Sequence, residues 1–406
     1  MLVLGAGPAG SALAQRLAQD GFGVLLADKK AFPRDKPCGE FLSPECAPYL
    51  DALGLQAPLR DLGPRLVRGM HLHGYGARAL GRFRAVGAHA ATAGSGFGVR
   101  RSRFDAALVD AASRAGATFL PRHELQDLLR DANGRVHGAV LRTEGGAVVE
   151  CRARWVVGAD GVHSRTARRL GVQRQTPWLD QFALVAHFDG VAARPCAEVH
   201  LFPGGFFAAT TVDADLFSVN LVVPRTTLRD RAAPDWDGFV ADHLDRAPAF
   251  GERLRPARRT TPWRGIGPLA HTTTRQTFAG AALVGDACGY VDPLTGEGIY
   301  FALFGARALG DALATALHHP DREAAALAGY VAARHREVTP RLRASALLQR
   351  ALRHPWLVRP FLHAADRWPL LADLVVTLTG DAIHPRDLLR PSFWRSFHAA
   401  TPEPVA

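Results

Sequence analysis

The first 28 residues place the strictest constraint on the fold of this chain. MLVLG is a short apolar strand that leads into a turn with Gly5, Gly7 and Gly10, and SALAQRLAQD then has apolar residues at helical spacing. GFGVLLAD forms a second predicted strand, which ends at Asp28. In this strand–turn–helix–strand context, a G-x-G-x-x-G turn lets the backbone approach a pyrophosphate. The segment therefore predicts dinucleotide binding, with Asp28 on a ribose.

The composition indicates a globular protein and narrows its partners. The 406 residues are 48% hydrophobic and 21% charged, enough for two or three units with buried cores. The formal net charge of +11 comes mainly from arginines spread along the whole chain, without a basic run interleaved with aromatics. We therefore expect no nucleic-acid partner. An anionic cofactor, an acidic head group or a membrane surface fits this charge better.

Cysteine and histidine spacing argues against metal and disulfide frameworks. The five cysteines include no C-x-x-C pair, and His71-x-His73 has no third ligand in view, so we expect no metal. The apolar start lacks a basic region, and no run of 18 apolar residues exists, so we expect neither a signal peptide nor a membrane span. These features predict a cytoplasmic protein and leave membrane association open. Because Leu2 already belongs to the first strand, a missed upstream start codon also stays open.

Three later stretches each predict a junction between a turn or strand and a helix. Residues 98–120 predict a basic turn followed by a helix with one apolar face. Residues 155–171 predict a strand, an Asp-Gly pair and a basic helix. Residues 281–313 predict a strand, a Gly-Asp pair, a Pro-Gly loop and a long helix. The four segments together are far more specific than a single glycine motif.

In their order and spacing, these segments resemble the FAD-dependent group that includes p-hydroxybenzoate hydroxylase-like monooxygenases, flavin halogenases and geranylgeranyl reductases. The resemblance covers residues 1 to about 320. FPRDKPCGEFLSP, residues 32–44, looks like a PR-KPCG--LSP segment of the geranylgeranyl reductase branch, the closest in motifs. The resemblance implies an α/β fold: a Rossmann-like FAD-binding domain with an inserted antiparallel β-sheet substrate domain and a C-terminal helical region.

The resemblance also implies which residues bind FAD. Asp286 would bind the ribitol, and Arg101 would contact the cofactor chain. Backbone N–H groups at residues 296–298, at the start of a helix, would favour the reduced, anionic flavin edge. The full set of expected cofactor residues is Gly5, Gly7, Pro8, Ala9, Gly10, Asp28, Lys29, Arg34, Cys38, Gly39, Arg101, Asp160, Gly161, Gly285, Asp286, Pro293, Gly296, Glu297, Gly298 and Ile299.

Cys38 and the three lysines carry further expectations. Cys38 would lie beside the flavin, where its thiol is a weak candidate for a proton donor and a packing role is the simpler interpretation. No other catalytic residue is identified. All the lysines of the chain, Lys29, Lys30 and Lys36, lie in one short window. We expect Lys29 and Lys30 near the adenosine end of the cofactor, and Lys36 in solvent.

Alternating, strand-favouring segments between the cofactor motifs predict a sheet that is inserted twice and roofs the flavin. Four phenylalanines could line its apolar substrate pocket, with simple sheet core as the alternative for each: Phe202, Phe206, Phe207 and Phe217. The predicted units are an FAD-binding domain (1–65, 98–178 and 265–320), a substrate-binding sheet domain (66–97 and 179–264) and a C-terminal helical region (321–406).

The C-terminal region predicts short amphipathic helices broken at Pro355, Pro360 and Pro369. Their apolar faces are flanked by arginine, which suits peripheral contact with anionic lipid. Helices of this kind also serve simply to cap a domain, and both interpretations stay open.

The motifs predict an FAD-dependent oxidoreductase that acts on a lipophilic small molecule. DPLTGEG and PCG favour a geranylgeranyl reductase-like reduction of an isoprenoid or lipid double bond. An NAD(P)H-dependent monooxygenase that hydroxylates an aromatic or polyketide substrate stays an alternative, as does a non-redox, flavin-dependent isoprenoid cyclase. A halogenase is disfavoured because W-x-W-x-I-P is missing. No second G-x-G-x-x-G follows an acid-terminated strand, so we expect NAD(P)H to bind transiently, with an external electron donor as the alternative.

Overall fold

A mostly parallel sheet forms the layer that carries the glycine turn. In the computed structural model, residues 1–86, 94–213, 216–228, 235–380 and 382–402 are described. Every neighbouring pair in the sheet is parallel except the first. The order is β21 (Thr277–Phe278), β22 (Ala281–Leu283), β12 (Val156–Gly158), β1 (Leu2–Leu4), β2 (Leu25–Asp28) and β8 (Thr118–Pro121). Strand β1 is buried along its whole length, as its apolar sequence predicts for a central parallel strand.

Three helices cover one face of this sheet and share one apolar core. They are α1 (Pro8–Gln19), α4 (Arg101–Arg114) and α8 (Gly298–His318). The helix predicted within residues 98–120 is confirmed as α4, which buries Phe104, Leu108 and Ala111. The long helix predicted after the Pro-Gly loop is confirmed as α8. Three shorter helices are α2 (Cys46–Ala52), α3 (Gln56–Asp61) and α5 (Arg165–Arg169).

A second large sheet is built from two separate parts of the chain. Its order is β18 (Arg258–Arg259), β14 (Gln181–Asp189), β17 (Leu216–Pro224), β16 (Gly205–Val212), β15 (Ala197–Phe202), β5 (Gly69–Gly74) and β6 (Ala77–Arg82), and β19 (Arg264–Ile266) also pairs with β14. The pair β15–β5, which joins the two parts, is parallel, and the other pairs are antiparallel. We call it the roof sheet. Helices α6 (Trp236–Leu244) and α7 (Pro248–Leu254) pack on one of its faces.

Three small antiparallel sheets complete the β structure of the described residues. They are β3 (Phe41–Leu42), β7 (Gly96–Gly98) and β4 (Arg65–Val67); β11 (Val148–Arg152), β10 (Val136–Thr143) and β9 (His123–Arg130); and β13 (Gln173–Gln175), β20 (His271–Thr273) and β23 (Gly289–Tyr290). The predicted fold class, a Rossmann-like α/β domain with an inserted antiparallel sheet, is confirmed. The boundaries assigned to the three units stay predictions.

The C-terminal helices differ from the prediction in two respects. They are α9 (Glu323–Leu352), α10 (Pro355–Arg367), α11 (Pro369–Thr379) and α12 (Pro391–Ala399). Helix α9 is one long helix that continues through Pro340, and Pro360 lies inside α10 instead of breaking it. Each proline removes one backbone hydrogen bond, the one to the carbonyl oxygen four residues earlier. The residues that carry these oxygens, Arg336 and Trp356, are exposed, so water can bind the freed oxygens. None of the described helices is both long and apolar enough to cross a membrane.

A buried ion pair ties α11 to the edge of the roof sheet. The Arg84 guanidinium donates from Nε to Asp373 Oδ2 over 2.9 Å, and its Nη2 lies 2.8 Å from the same oxygen. The backbone N–H of Arg82 donates to the other carboxylate oxygen of Asp373 over 2.8 Å. Asp373 is fully buried, and Arg84 also donates to the Phe397 carbonyl of α12. One carboxylate therefore organises the attachment of two C-terminal helices.

We expect Asp373→Leu to lower the free energy of unfolding by about 3–5 kcal/mol, because it leaves the Arg84 guanidinium buried without a carboxylate. Urea unfolding followed by circular dichroism measures the loss. The control Glu144→Gln, which removes an exposed pair with Arg122, should change the unfolding free energy by less than about 1 kcal/mol. If the double variant Arg84→Met/Asp373→Leu recovers part of the lost unfolding free energy, the loss comes from the unpaired charge. A loss in Asp373→Leu as small as that of the control would contradict the prediction.

Candidate active site and cofactor clefts

Two connected clefts lie where the central parallel strands end. The first is lined by the glycine turn, the 36–41 loop, the start of α8 and the roof sheet. The second, of about 430 Å³, lies beyond the carboxyl ends of β1 and β2 and shares Gly7, Lys36 and Gly161 with the first. Ligands of parallel α/β sheets bind at this edge of the strands. We call the first the ring cleft and the second the adenosine cleft.

The glycine turn is shaped by two close backbone approaches. Gly5 has a φ of +105°, and a Cβ there would lie 2.5 Å from the carbonyl oxygen of Ala159. A Cβ on Gly10 would lie 1.8 Å from the carbonyl oxygen of Gly5. A Cβ on Gly7 would meet only the Arg34 guanidinium, at 3.7 Å. The turn thus needs glycine at Gly5 and Gly10 for packing, while Gly7 keeps the backbone open towards both clefts.

Asp28 sits at the end of β2, as predicted, and holds the turn in place. Its Oδ2 accepts the backbone N–H of Ala6 over 2.8 Å, and its Oδ1 accepts that of Lys30 over 2.9 Å. Lys29, Lys30 and Arg34 line the adenosine cleft beside it. A cleft with an open glycine backbone and several cations has the charge and shape that a pyrophosphate needs. On these observations, the residues present fit the ADP half of FAD.

Most of the residues expected at the cofactor line one of the two clefts. Those in the adenosine cleft are Gly5, Gly7, Asp28, Lys29, Arg34, Asp160 and Gly161. Those in the ring cleft are Gly7, Pro8, Ala9, Cys38, Gly39, Arg101, Gly161, Asp286, Pro293, Gly296, Gly298 and Ile299. The structure therefore brings together residues from four distant segments. Their individual contacts with FAD stay predictions.

Three of the expected residues line neither cleft. Gly10 packs beneath the turn, and Gly285, with a φ of +64°, leaves room for Ala9, whose Cβ would be 2.8 Å from an added Cβ. Glu297 is 6% exposed, and its carboxylate points into the protein, where it accepts hydrogen bonds from Thr295 Oγ1 at 2.7 Å and Ser345 Oγ at 3.1 Å. Both hydroxyls donate to the same carboxylate oxygen, and the expected contact of residue 297 with the cofactor, through the backbone N–H groups of 296–298, stays a prediction.

Arg101 and Cys38 meet at the ring cleft. Nε and Nη2 of Arg101 donate to the two oxygens of Asp105 over 2.8 and 2.9 Å. Its Nη1 donates to the Cys38 sulfur over 3.2 Å, and the backbone N–H of Glu40 donates to the same sulfur over 3.4 Å. Cys38 thus lies beside a cation in the predicted loop. Arg101 reaches the cofactor region mainly as the residue that positions this loop.

Lys36 differs from its expected exposure to solvent. Its side chain is 27% exposed, lines both clefts and places Nζ 3.9 Å from Asp286 Oδ2. Burial lowers the pKa of the Lys36 ammonium, the nearby Arg101 and Arg34 lower it further, and Asp286 raises it. Lys36 therefore lies where the two clefts meet.

The four phenylalanines predicted at the substrate pocket lie elsewhere. Phe202, Phe207 and Phe217 point away from the ring cleft into the core between the roof sheet and α7. Phe206 packs in a different cluster on the cleft side of the sheet, but it does not line the cleft. The pocket expectation is therefore corrected in favour of sheet core. Smaller side chains line the cleft wall instead: Met70, Ala183, Val185, Ala197, Val199, Ala208, Ala209, Ile266 and Leu269.

A buried acid–imidazole pair beside the ring cleft was not predicted. His187 Nε2 and Glu40 Oε2 are 2.6 Å apart, and the side chains are 10% and 4% exposed. Glu40 lines the cleft and has a φ of +57°, a strained conformation for this residue type. Its other oxygen accepts the backbone N–H of Arg101 over 2.9 Å. The pair joins a loop to strand β14 across 147 positions of sequence, so neither residue alone gave a signal.

The expectation of no metal stays a prediction. On the face of the roof sheet away from the ring cleft, His73, Glu198 and His200 place possible ligand atoms within 4.8 Å of one another. The imidazoles of His73 and His200 stack in parallel with centroids 4.4 Å apart, so their nitrogens do not converge. Arg253 Nε lies 2.7 Å from a Glu198 oxygen and neutralises the carboxylate. This group is better explained as a buried ion pair with stacked imidazoles.

The fold, the open glycine turn and the cationic clefts define a dinucleotide-binding flavoprotein. The sequence matches the FAD binding domain family over residues 1–345. The chain belongs to this family, and it is an FAD-dependent oxidoreductase.

Relatives among characterised proteins include two kinds of reductase. The chain is 29% identical over 342 residues to digeranylgeranylglycerophospholipid reductase 2 of Methanopyrus kandleri, covering 81% of this chain and 80% of the relative. It is 28% identical over 329 residues to menaquinone reductase of Mycobacterium tuberculosis, covering 75% and 73%. A third relative, conditioned medium factor receptor 1 of Dictyostelium discoideum, is 28% identical over 331 residues, which is 78% of this chain but only 64% of that protein.

Solved structures with the same fold include enzymes of other reaction types. The myxobacterial chondrochloren halogenase CndH has a TM-score of 0.75 and 27% identity, covering 81% of this chain and 77% of that chain. PqsL of Pseudomonas aeruginosa, described as a probable FAD-dependent monooxygenase, has a TM-score of 0.71 and 24% identity, covering 90% and 99%. The latter similarity supports the fold alone.

We expect Lys36→Met to change two properties in opposite directions. In the apoprotein it should raise the free energy of unfolding at pH 7, because a buried ammonium whose pKa is lowered costs stability at every pH below that pKa. It should also weaken FAD binding about tenfold or more, because a charge-assisted contact to an anion is lost. Urea unfolding of the apoprotein and flavin fluorescence titration measure the two effects. Lys30→Met, at an exposed lysine, is the control for stability, and a decrease in both properties would contradict the charge argument.

We expect Asp292→Asn to remove a pH dependence of stability. Burial raises the pKa of the Asp292 carboxyl to about 7, although the backbone N–H of Leu294 donates to one of its oxygens over 2.6 Å and lowers it. Because folding raises the pKa of this carboxyl, the free energy of unfolding of the protein decreases as the pH increases from about 4 to 7. The slope approaches 1.4 kcal/mol per pH unit. Urea unfolding at pH 5 and pH 8 should show a smaller difference for the variant. An unchanged difference would contradict the prediction.

Proposed function

We propose that the protein reduces a carbon–carbon double bond in a lipophilic, isoprenoid-type substrate, and that FAD lies in the two clefts with its ring in the ring cleft. The observation that carries this proposal is the cleft wall formed by the roof sheet. Its lining is dominated by alkyl side chains, and its polar members are Thr210, Asn220 and Glu198, whose carboxylate is paired with Arg253. An apolar wall of this kind stabilises a hydrocarbon chain and gives a polar substrate few hydrogen-bond partners. Relatives that include reductases of a geranylgeranyl lipid and of menaquinone support the same substrate class.

Reduction of a double bond requires a hydride and a proton. When bound, reduced FAD supplies the hydride to one carbon. The other carbon takes a proton from the Glu40–His187 pair, which is buried beside the ring cleft. The Thr261 hydroxyl lies 3.2 Å from His187 Nδ1, so a hydroxyl that donates to Nδ1 leaves the proton of the imidazole on Nε2, facing Glu40. One further proton, held on Glu40 as a carboxylic acid beside the neutral imidazole, is the proton that the pair donates, and the carboxylate that remains is reprotonated from water.

Two hydrogen bonds donated by backbone N–H groups fix the geometry of this pair. The backbone N–H of His187 donates to Thr261 Oγ1 over 3.0 Å, and the backbone N–H of Arg101 donates to Glu40. These contacts leave Glu40 Oε2 and His187 Nε2 as the two atoms that exchange a proton. The electrons come from NAD(P)H, which binds transiently, or from an external reductase.

Hydroxylation of an aromatic or polyketide substrate is the second candidate. Thr210 Oγ1 has no hydrogen-bond partner among the described residues, although it is buried in the cleft wall, and could bond a ring hydroxyl. The Glu40–His187 pair would then act as a base that removes the phenolic proton. The non-redox cyclase has no specific support from the described residues.

We expect the reduced holoenzyme to be reoxidised by a prenyl lipid in the strict absence of oxygen. A stopped-flow absorption trace with a geranylgeranyl lipid measures the rate, and mass spectrometry should show the addition of two hydrogens to the lipid. If only oxygen reoxidises the flavin, and a simple phenol gains one oxygen atom, the reductase proposal fails and the monooxygenase is supported.

The same assay tests the proton pair. Glu40→Gln and His187→Gln should each slow lipid-dependent reoxidation about 100-fold or more, because general acid catalysis typically contributes that much. His335→Gln, at an exposed histidine of α9, is the matched control. Rates within twofold of the wild type in both pair variants, with FAD still bound, would exclude this proton source.

A further inference from the structure

Helix α10 packs against the wall of the ring cleft with one face. Val358, Leu362 and Ala365 are buried in one apolar cluster that also contains the cleft-lining residues Met70 and Leu269. A Cβ on Gly74 of the roof sheet would lie 3.3 Å from Leu362, which shows how closely the helix approaches the strand. The helix therefore backs the wall of the cleft.

The opposite face of α10 is also apolar, and it is exposed. Trp356 is 71% exposed and Trp368, which follows the helix, is 60% exposed, while Leu357 and Phe361 are 38% and 36% exposed. At about 100° per residue these four side chains fall within an arc of about 140°, away from the buried arc. A helix with two apolar faces needs a partner on each. Among the described residues, the outer face has no covering element.

Basic side chains form a stripe along one rim of this face. Arg359, His363 and Arg367 are spaced four residues apart and all are exposed. The only acidic side chain of the helix, Asp366, is turned towards β6, where it accepts the backbone N–H of Arg78 over 3.3 Å. The stripe therefore presents positive charge directly beside two tryptophans.

We propose that the outer face of α10 binds the surface of an anionic phospholipid bilayer, with Trp356, Leu357, Phe361 and Trp368 at the level of the head groups. Tryptophan prefers the interface between water and hydrocarbon, and arginine beside an apolar stripe binds anionic head groups. The formal net charge of +11 favours the same partner. A stable contact with a second copy usually takes about 20–30 residues a side, many more than this face offers.

Docking in this orientation places the lipid on one side of α10 and the ring cleft on the other. A lipophilic substrate would then be taken from the bilayer next to the cleft wall. The docking itself does not depend on the proposed reaction, whereas the source of the substrate rests on the proposed function.

The test is co-sedimentation of the holoenzyme with vesicles of phosphatidylglycerol and phosphatidylcholine in equal parts, compared with vesicles of phosphatidylcholine alone. We expect binding to the anionic vesicles that weakens as salt is added. Trp356→Gln/Phe361→Gln/Trp368→Gln should lower the partition coefficient about 100-fold, through lost apolar burial. Arg359→Gln/Arg367→Gln should remove the preference for anionic vesicles. Flavin absorption and thermal unfolding show that the variants are folded.

The matched control is Val148→Gln/Leu389→Gln, which removes two exposed apolar side chains that are 65% and 85% exposed outside α10. It should bind vesicles as the wild type does. Equal binding by the triple variant, or no binding by the wild type, would overturn the proposal. So would a wild-type dimer in analytical ultracentrifugation that the triple variant converts to monomer, since the face would then bind a second copy. Vesicle binding without turnover of vesicle-borne prenyl lipid would leave the docking intact and count against the proposed reaction.

Discussion

The Arg34 guanidinium connects the two halves of the cofactor region. It lies 3.8 Å from Asp28 at the end of β2 and 3.3 Å from the fully buried Asp105 of α4. Asp105 in turn accepts hydrogen bonds from Nε and Nη2 of Arg101, and the backbone N–H of Arg101 donates to Glu40. Buried charges persist only when each has a partner, so the loss of any member leaves another uncompensated. The shape of both clefts depends on this chain of alternating charges.

The parts of the fold that were predictable are those where one local rule decides the outcome. The glycine turn is such a part, because Gly5 and Gly10 stand where any Cβ would collide with a carbonyl oxygen. The helices predicted in residues 98–120 and 281–313 are others, since their apolar spacing follows from a face that must be buried. In each of these places a short stretch of sequence contains the whole physical reason for the structure.

The sequence-based predictions were wrong for residues whose environment is set by contacts with distant parts of the chain. The alternating pattern of β15 and β16 predicted an apolar face, but both faces of the roof sheet are apolar. Only the position of α7 shows that Phe207 points away from the ring cleft. The exposure of Lys36 depends on Asp286, 250 positions later. The Glu40–His187 pair forms only because β14 passes close to the 36–41 loop. Contacts of this kind depend on topology, and no local pattern encodes them.

The roof sheet has a consequence for how the molecule can fold. Strands β5 and β6 precede α4 in the sequence, whereas β14–β17 follow α5. The parallel pair β15–β5 joins the two groups. No single cut through the chain releases either large sheet intact, so the protein cannot be divided into two independently expressed halves along its layers. Most of the stabilising contacts of the roof sheet therefore cannot form until about half of the sequence is folded. Folding that depends on such distant pairings is slow, and a bound dinucleotide that contacts both layers favours their assembly.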